Sequence, residues 1–156
     1  MNQSRRNLLQ ASAGATVMAL AASAGVFKSG HLHAEDWNKA AFDTKNLQDT
    51  VKAFGGATAT ESKEITITSP DIAENGAVVP VSVSSKLGKT ESISILVEKN
   101  PNALSAAFEI PGGTEPFVST RVKMGQTSNV YALVKADGKY FFATKEIKVT
   151  LGGCGG

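Results

Sequence analysis

Two stretches decide the fold: Val79-Pro80-Val81-Ser82-Val83-Ser84 and Ile93-Ser94-Ile95-Leu96-Val97-Glu98. In each, a branched apolar residue recurs at every second position. A β-strand sends successive side chains to opposite faces, so this period marks strands with one face buried. Working outward, Ile65 and Ile67 alternate with Thr66 and Thr68, and four more strand candidates follow at 104–110, 116–124, 128–136 and 139–151. Turn signals separate them: Glu74-Asn75-Gly76, Leu87-Gly88-Lys89, Asn100-Pro101-Asn102, Pro111-Gly112-Gly113, Met124-Gly125 and Asp137-Gly138. Asp-Gly between two apolar runs signals a tight hairpin. Seven short strands at this spacing predict an all-β chain, an antiparallel sandwich of the immunoglobulin-like kind. Pro80 cannot donate to a ladder, so its strand is expected at an edge or at a bulge. Tyr140-Phe141-Phe142 is apolar on both faces. One face is expected to meet the core and the other a helix or a partner subunit.

Upstream, the period changes. Trp37, Ala41, Leu47, Val51 and Phe54 fall near helical spacing, which predicts one N-terminal amphipathic helix over 36–54. Glu35 and Asp36 place negative charge at its start, and Gly55-Gly56 supplies the left-handed turn at its end. The first 34 residues read as an export leader. Arg5-Arg6 precedes a weakly hydrophobic run rich in Ala, Gly and Ser, with Ala22-Ser23-Ala24 as a small-residue cleavage candidate and a second possible cut after Ala34. The arginine pair points to the twin-arginine route and a periplasmic destination. The expected organisation is therefore leader 1–34, helical segment 35–56, sandwich 57–151 and tail 152–156.

Charge and composition exclude several functions. All 14 acidic residues lie from Glu35 onward, where they face 13 basic ones, so no basic stripe remains for nucleic acid. Once the leader is removed, nothing anchors the chain in a membrane. One cysteine forms no internal disulfide. After residue 34 there is no CxxC, CxxCH, GxGxxG or P-loop motif and no histidine, so no cofactor or metal is expected. The twin-arginine route carries folded cargo. Without a cofactor, a subunit bound before export becomes the expected reason for using it.

The chemistry concentrates in Gly152-Gly153-Cys154-Gly155-Gly156. Four glycines offer no side chains to bury the thiol, which predicts a thin, pliable, exposed tail. Three residues beyond Leu151 reach roughly 10 Å, and all five roughly 17 Å, enough to enter a narrow tunnel in another protein. The tail holds no cation, and the terminal carboxylate opposes a thiolate, so only a few per cent ionises at neutral pH given a reference value of ~8.5. Activation must come from whatever receives the tail. That is the logic of a covalent carrier, not of an enzyme. A binding module whose thiol only crosslinks it to a partner is the alternative. A ubiquitin-like carrier activated at its carboxylate and a metal-delivery domain fit less well.

These residues resemble the SoxY family, the sulfur-carrying subunits of the bacterial thiosulfate-oxidising Sox system. The resemblance spans the mature chain and rests on Pro70-Asp71-Ile72-Ala73-Glu74-Asn75-Gly76 running into Val79-Pro80-Val81, on Thr120-Arg121-Val122-Lys123-Met124, and on Asp137-Gly138 with the ending from Val149 to Gly156. It implies an immunoglobulin-like sandwich bound to a second small β-sandwich subunit, SoxZ. It implies Cys154 as the attachment point and Gly152, Gly153, Gly155 and Gly156 as a swinging arm. It also implies transient partners: a haem cytochrome that joins thiosulfate to the cysteine sulfur and a metal-dependent hydrolase that releases sulfate. Depending on the organism, a molybdenum–haem enzyme oxidises the remaining sulfur or the sulfur is passed elsewhere.

Overall fold

The alternating valines of 79–83 are buried and their neighbours face outward, because a second sheet closes over one side of the strand. In a computed structural model of the protein, residues 38–150 are described. The leader with Arg5 and Arg6, Trp37, and the tail with Cys154 and its four glycines lie outside them. Nine strands run in chain order: β1 Ala59–Glu61, β2 Ile65–Thr68, β3 Ile72–Ala73, β4 Val79–Ser85, β5 Thr90–Val97, β6 Leu104–Glu109, β7 Phe117–Val122, β8 Ser128–Ala136 and β9 Lys139–Val149. One sheet has the order β1-β9-β8-β5-β6, with β3 also on β9; the other has the order β2-β4-β7.

The two sheets pack face to face. Val79, Val81 and Val83 of β4 meet Ile93, Ile95 and Val97 of β5, Val130, Ala132 and Val134 of β8, and Ile147 of β9. The larger sheet has a second buried face. There Leu96, Leu104, Leu133 and Tyr140 pack under the N-terminal segment through Ala41 and Val51. This explains why Leu96 stands at a position the period assigns to solvent: β5 is covered on both sides, and its last five residues are all buried. Burying one such side chain stabilises the fold by about 1.5–3 kcal/mol. Phe142 joins the helical face and Phe141 the inter-sheet face, so the Tyr140–Phe142 run is divided between two cores.

The helical segment departs from the single helix expected over 36–54. It forms two short helices, α1 Lys39–Phe42 and α2 Leu47–Ala53. The break falls in Asp43-Thr44-Lys45-Asn46, where short polar side chains bond the backbone in place of continued helix. Asn46 is extended (φ −152°, ψ 168°), and its side chain accepts from the Asp49 N–H at 2.9 Å, capping α2. The Thr44 hydroxyl donates to the Ala41 carbonyl at 2.6 Å. The expected apolar stripe survives: Ala41 and Val51 are buried, and Leu47 and Phe54 pack beside them. Gly55 (φ +84°) closes α2 as foreseen, with Gly56 N–H donating to the Val51 carbonyl and Gly55 N–H to that of Lys52. None of the described helices is long and apolar enough to cross a membrane.

Two further findings correct the strand reading. β4 is neither an edge nor bulged; it is the central strand of its sheet. Pro80 is tolerated because β2 ends at Thr68, opposite Ser82, so Pro80 lies beyond it and faces only β7. Second, β1 and β3 are additional, and both pair with β9 in parallel. Asp137 (φ 49°) and Gly138 (φ 72°) form the expected tight turn between β8 and β9.

Candidate functional site

The described part of the tail's neighbourhood is its root, the last residues of β9. Its length comes from strand-forming residues paired along one edge with β8 as far as Ile147, from Ser128↔Ile147 to Ala136↔Lys139. Its other edge is shared, by β1 at Tyr140–Phe142 and by β3 at Lys148–Val149. At the root, three consecutive backbone N–H groups are held. Lys148 donates to the Asp71 carbonyl at 2.9 Å and Thr150 to the Ala73 carbonyl at 3.1 Å. Between them, Val149 points its N–H the other way, to the Thr127 hydroxyl at 3.0 Å. Each such bond contributes about 0.5–1.5 kcal/mol net.

The segment carrying β3 is itself tied down. Lys145 Nζ donates to the Ser69 carbonyl at 2.6 Å and pairs with Asp71 Oδ1 at 2.9 Å. The Asn75 side-chain carbonyl accepts from Ala77 N–H at 2.9 Å, shaping the turn. Gly76 accepts from Met124 N–H at 2.7 Å, and Met124 is buried in the inter-sheet core. A Cβ at Gly76 would collide with the Met124 carbonyl oxygen and lie 2.8 Å from Val149 Cγ1. Only a glycine lets the three chains approach this closely.

The structure thus brings together stretches far apart in sequence: 70–76, 120–124 and the end of β9. Each was singled out above, but not their meeting. β3 is two residues long, too short for any period, and its partners are backbone groups. The only sequence signal was Gly76 following Asn75, which reads as an ordinary turn. Cys154, Gly152, Gly153, Gly155 and Gly156 lie beyond Thr150 and outside the described residues, as do Arg5 and Arg6.

Titration is perturbed at the opposite end of β9. The Glu91 carboxylate is held below its ordinary value, first by the hydrogen bond from Lys135 and then by the Gly138 N–H; the same bond raises Lys135. Asp137 is likewise lowered and Lys89 raised by their 2.9 Å pair. Ten strand rises, about 33 Å, separate this hairpin from the root, so these groups tie a turn far from Thr150. Two open cavities, of about 310 and 200 Å³, also lie away from the root. The first is lined by Gly55–Thr58 and the β8–β9 turn, the second by Phe54, Ser94 and Lys135. Among the described residues, no group of three or more His, Cys, Asp or Glu side chains is placed to hold a metal ion.

The chain matches one family model and several solved structures. The model of the family described as sulfur oxidation protein SoxY matches residues 50–154, ending on Cys154. Among solved structures, the sulfur carrier protein SoxY from Chlorobium limicola f thiosulfatophilum is 39% identical, with a TM-score of 0.59, covering 65% of this chain and 92% of that one. A superoxide reductase (neelaredoxin) from Ignicoccus hospitalis is 23% identical (TM-score 0.48, covering 55% and 80%). The hypothetical protein PH1083 from Pyrococcus horikoshii is 14% identical (TM-score 0.46, covering 70% and 98%). No curated protein matches the chain. With the family model matched over residues 50–154, through its only cysteine, the chain belongs to the SoxY family of sulfur oxidation proteins.

Proposed function

We propose that the protein carries the sulfur intermediates of thiosulfate oxidation on Cys154 and presents them in turn to separate enzymes. The observation that carries this reading is the family match through Cys154, set in Gly-Gly-Cys-Gly-Gly, which begins three residues beyond a strand held to its end. In the first step, the Cys154 thiol and the outer sulfur of thiosulfate form an S–S bond. One proton and two electrons leave, the electrons to a haem cytochrome. In the second, water hydrolyses the terminal S–S bond of the adduct on a metal-dependent hydrolase. Sulfate and two protons depart, and a persulfide remains on the cysteine. A molybdenum–haem enzyme then oxidises that sulfur, or another acceptor takes it. Gly152, Gly153, Gly155 and Gly156 keep the tail narrow enough to pass from one active site to the next. A SoxZ-like β-sandwich subunit joins the protein before export, and Arg5-Arg6 directs the pair to the periplasm by the twin-arginine route.

Reconstitution with thiosulfate and the partner enzymes tests this reading. Cys154→Ser is expected to abolish sulfate production while leaving the urea midpoint and subunit binding unchanged. Intact mass of the native protein should show extra sulfur or thiosulfonate on Cys154. Sulfate production that persists in Cys154→Ser would overturn the carrier role. A protein recovered only as a disulfide dimer, inert to the enzymes, would make it a crosslinked binding module.

A further inference from the structure

Among the described residues, three large apolar side chains stand well exposed: Ile72 (56%), Val78 (49%) and Phe117 (52%). Two of them belong to the segment that clamps the tail's root. Ile72 is paired in register with Lys148, while its neighbour Ala73 turns into the core. Val78 follows the turn at Asn75, while its neighbour Val79 is buried. Both residues therefore project away from the sandwich. With strands about 4.8 Å apart and about 3.3 Å per residue, Ile72 lies about 8 Å from Thr150.

Chain length then fixes where an enzyme must sit. Cys154 is four residues beyond Thr150, a span of about 14 Å at full extension. An active site that acts on a sulfur held by Cys154 lies within that distance of Thr150. If the site is recessed in a channel, the tail fills the channel and the channel's mouth rests on the surface around Thr150. That surface includes Ile72, opposite Lys148, and the chain two residues before Val78, where Gly76 packs against Val149. We propose that Ile72 and Val78 form the docking patch for the mouth of the enzyme that loads sulfur onto Cys154, and that this mouth has an apolar rim. The proposal rests on the carrier reading. A small apolar patch suits a partner that must leave after each step, because contacts much below a stable interface dissociate quickly.

The test uses the full-length carrier with its partner subunit, thiosulfate, and the purified cytochrome that loads it. The variants are Ile72→Glu/Val78→Glu and the milder Ile72→Ser/Val78→Ser, with Phe117→Glu as an equally exposed control on the other sheet. The expected result for the glutamate pair is a KM for carrier raised at least tenfold with kcat within twofold. Alkylation of Cys154 by iodoacetamide, subunit binding and the urea midpoint should stay unchanged, and Phe117→Glu should behave as wild type. The serine pair should shift KM in the same direction by less. Loading of wild type with an unchanged KM in both double variants would overturn the docking patch and leave the carrier reading standing. Loss of subunit binding would also overturn it, making the patch a subunit interface. A shift to a smaller species on sizing would identify it as a contact between two copies and overturn it too. Wild type that takes up no sulfur on Cys154 would overturn the carrier reading and this inference together.

Discussion

Gly76→Ala is the sharpest test of how the tail's root is built. Gly76 does not adopt a left-handed φ, so alanine meets no backbone penalty there. On backbone grounds alone, the change would stabilise the fold by about 0.4–1 kcal/mol through the unfolded chain. Space decides otherwise. The new Cβ overlaps the Met124 carbonyl oxygen and lies 2.8 Å from Val149 Cγ1. The first obstacle is backbone, and the second is a β-branched side chain with restricted χ1, so neither swings aside cheaply. Overpacking of this kind costs about 1–3 kcal/mol. Any retreat of the loop also weakens the 2.7 Å bond from Met124 N–H to Gly76. The expected net destabilisation is about 2 kcal/mol, which lowers the urea midpoint by about 1 M at a slope near 2 kcal/mol/M. Gly88→Ala is the internal control, since nothing lies within 4 Å of a Cβ there and its φ is ordinary. It should be neutral or slightly stabilising. Hydrogen exchange adds locality: in Gly76→Ala, the Lys148 and Thr150 amides should exchange faster than global unfolding allows. A Gly76→Ala protein as stable as wild type, or a Gly88→Ala protein that falls equally, would refute the close-packed root.

Three further outcomes are expected. Leu96→Ala removes a fully buried side chain beneath the helices and should cost about 2–5 kcal/mol in urea unfolding, with the inter-sheet valines unaffected. Asn46→Ala deletes the side-chain acceptor that caps α2 and should cost about 1 kcal/mol; a loss near zero would mean that the helix break does not depend on the cap. Glu91 and Asp137 have folded pKa values below their ordinary 4.5 and 3.8, so as pH falls the unfolded chain takes up protons first. Their contribution is present above the ordinary values and is lost as pH drops through the depressed ones. Glu91→Gln should therefore narrow the gap between urea midpoints measured at about pH 6 and about pH 2.5, and an unchanged gap would remove Glu91 from acid unfolding.

What was legible in the sequence follows from what was buried. Val79, Val81 and Val83 announced their strand because one face of β4 meets the core and the other meets solvent. β8 is found over the residues expected for it, 128–136, with Val130, Ala132 and Val134 on the inter-sheet face and Leu133 buried under the helices on the other. β5 showed its period in Ile93, Ile95 and Val97, and Leu96, standing where a polar alternate would, marks the second core. Pro80 misled because a missing donor excludes a ladder bond on one side only, and the shortness of β2 supplied that side. The helical stripe was visible in Ala41 and Val51, but the break was not, because a cap at Asn46 depends on local hydrogen bonds that periodicity does not record. The cysteine and its glycines were legible as composition. The clamp beneath them was not, since β3 is held by backbone groups and a single close approach at Gly76.

On the proposed carrier reading, the clamp sets two quantities, the concentration of the sulfur at a docked enzyme and its reach. With β9 held through Thr150, four residues link the body to Cys154. Were β3 absent and three residues of β9 freed, the link would grow to seven. For a flexible glycine-rich tether, effective concentration falls roughly as the −3/2 power of length, so the sulfur would be diluted only about twofold at a docked enzyme. Reach would change far more, by about 10 Å at 3.3 Å per residue. A recessed active site is sensitive to depth, since a reacting atom misplaced by about 1 Å already loses much of its rate. On the carrier function proposed above, the parallel pairing of Ile72 and Ala73 would act chiefly as a depth stop, because it fixes Thr150 as the last held residue before Cys154.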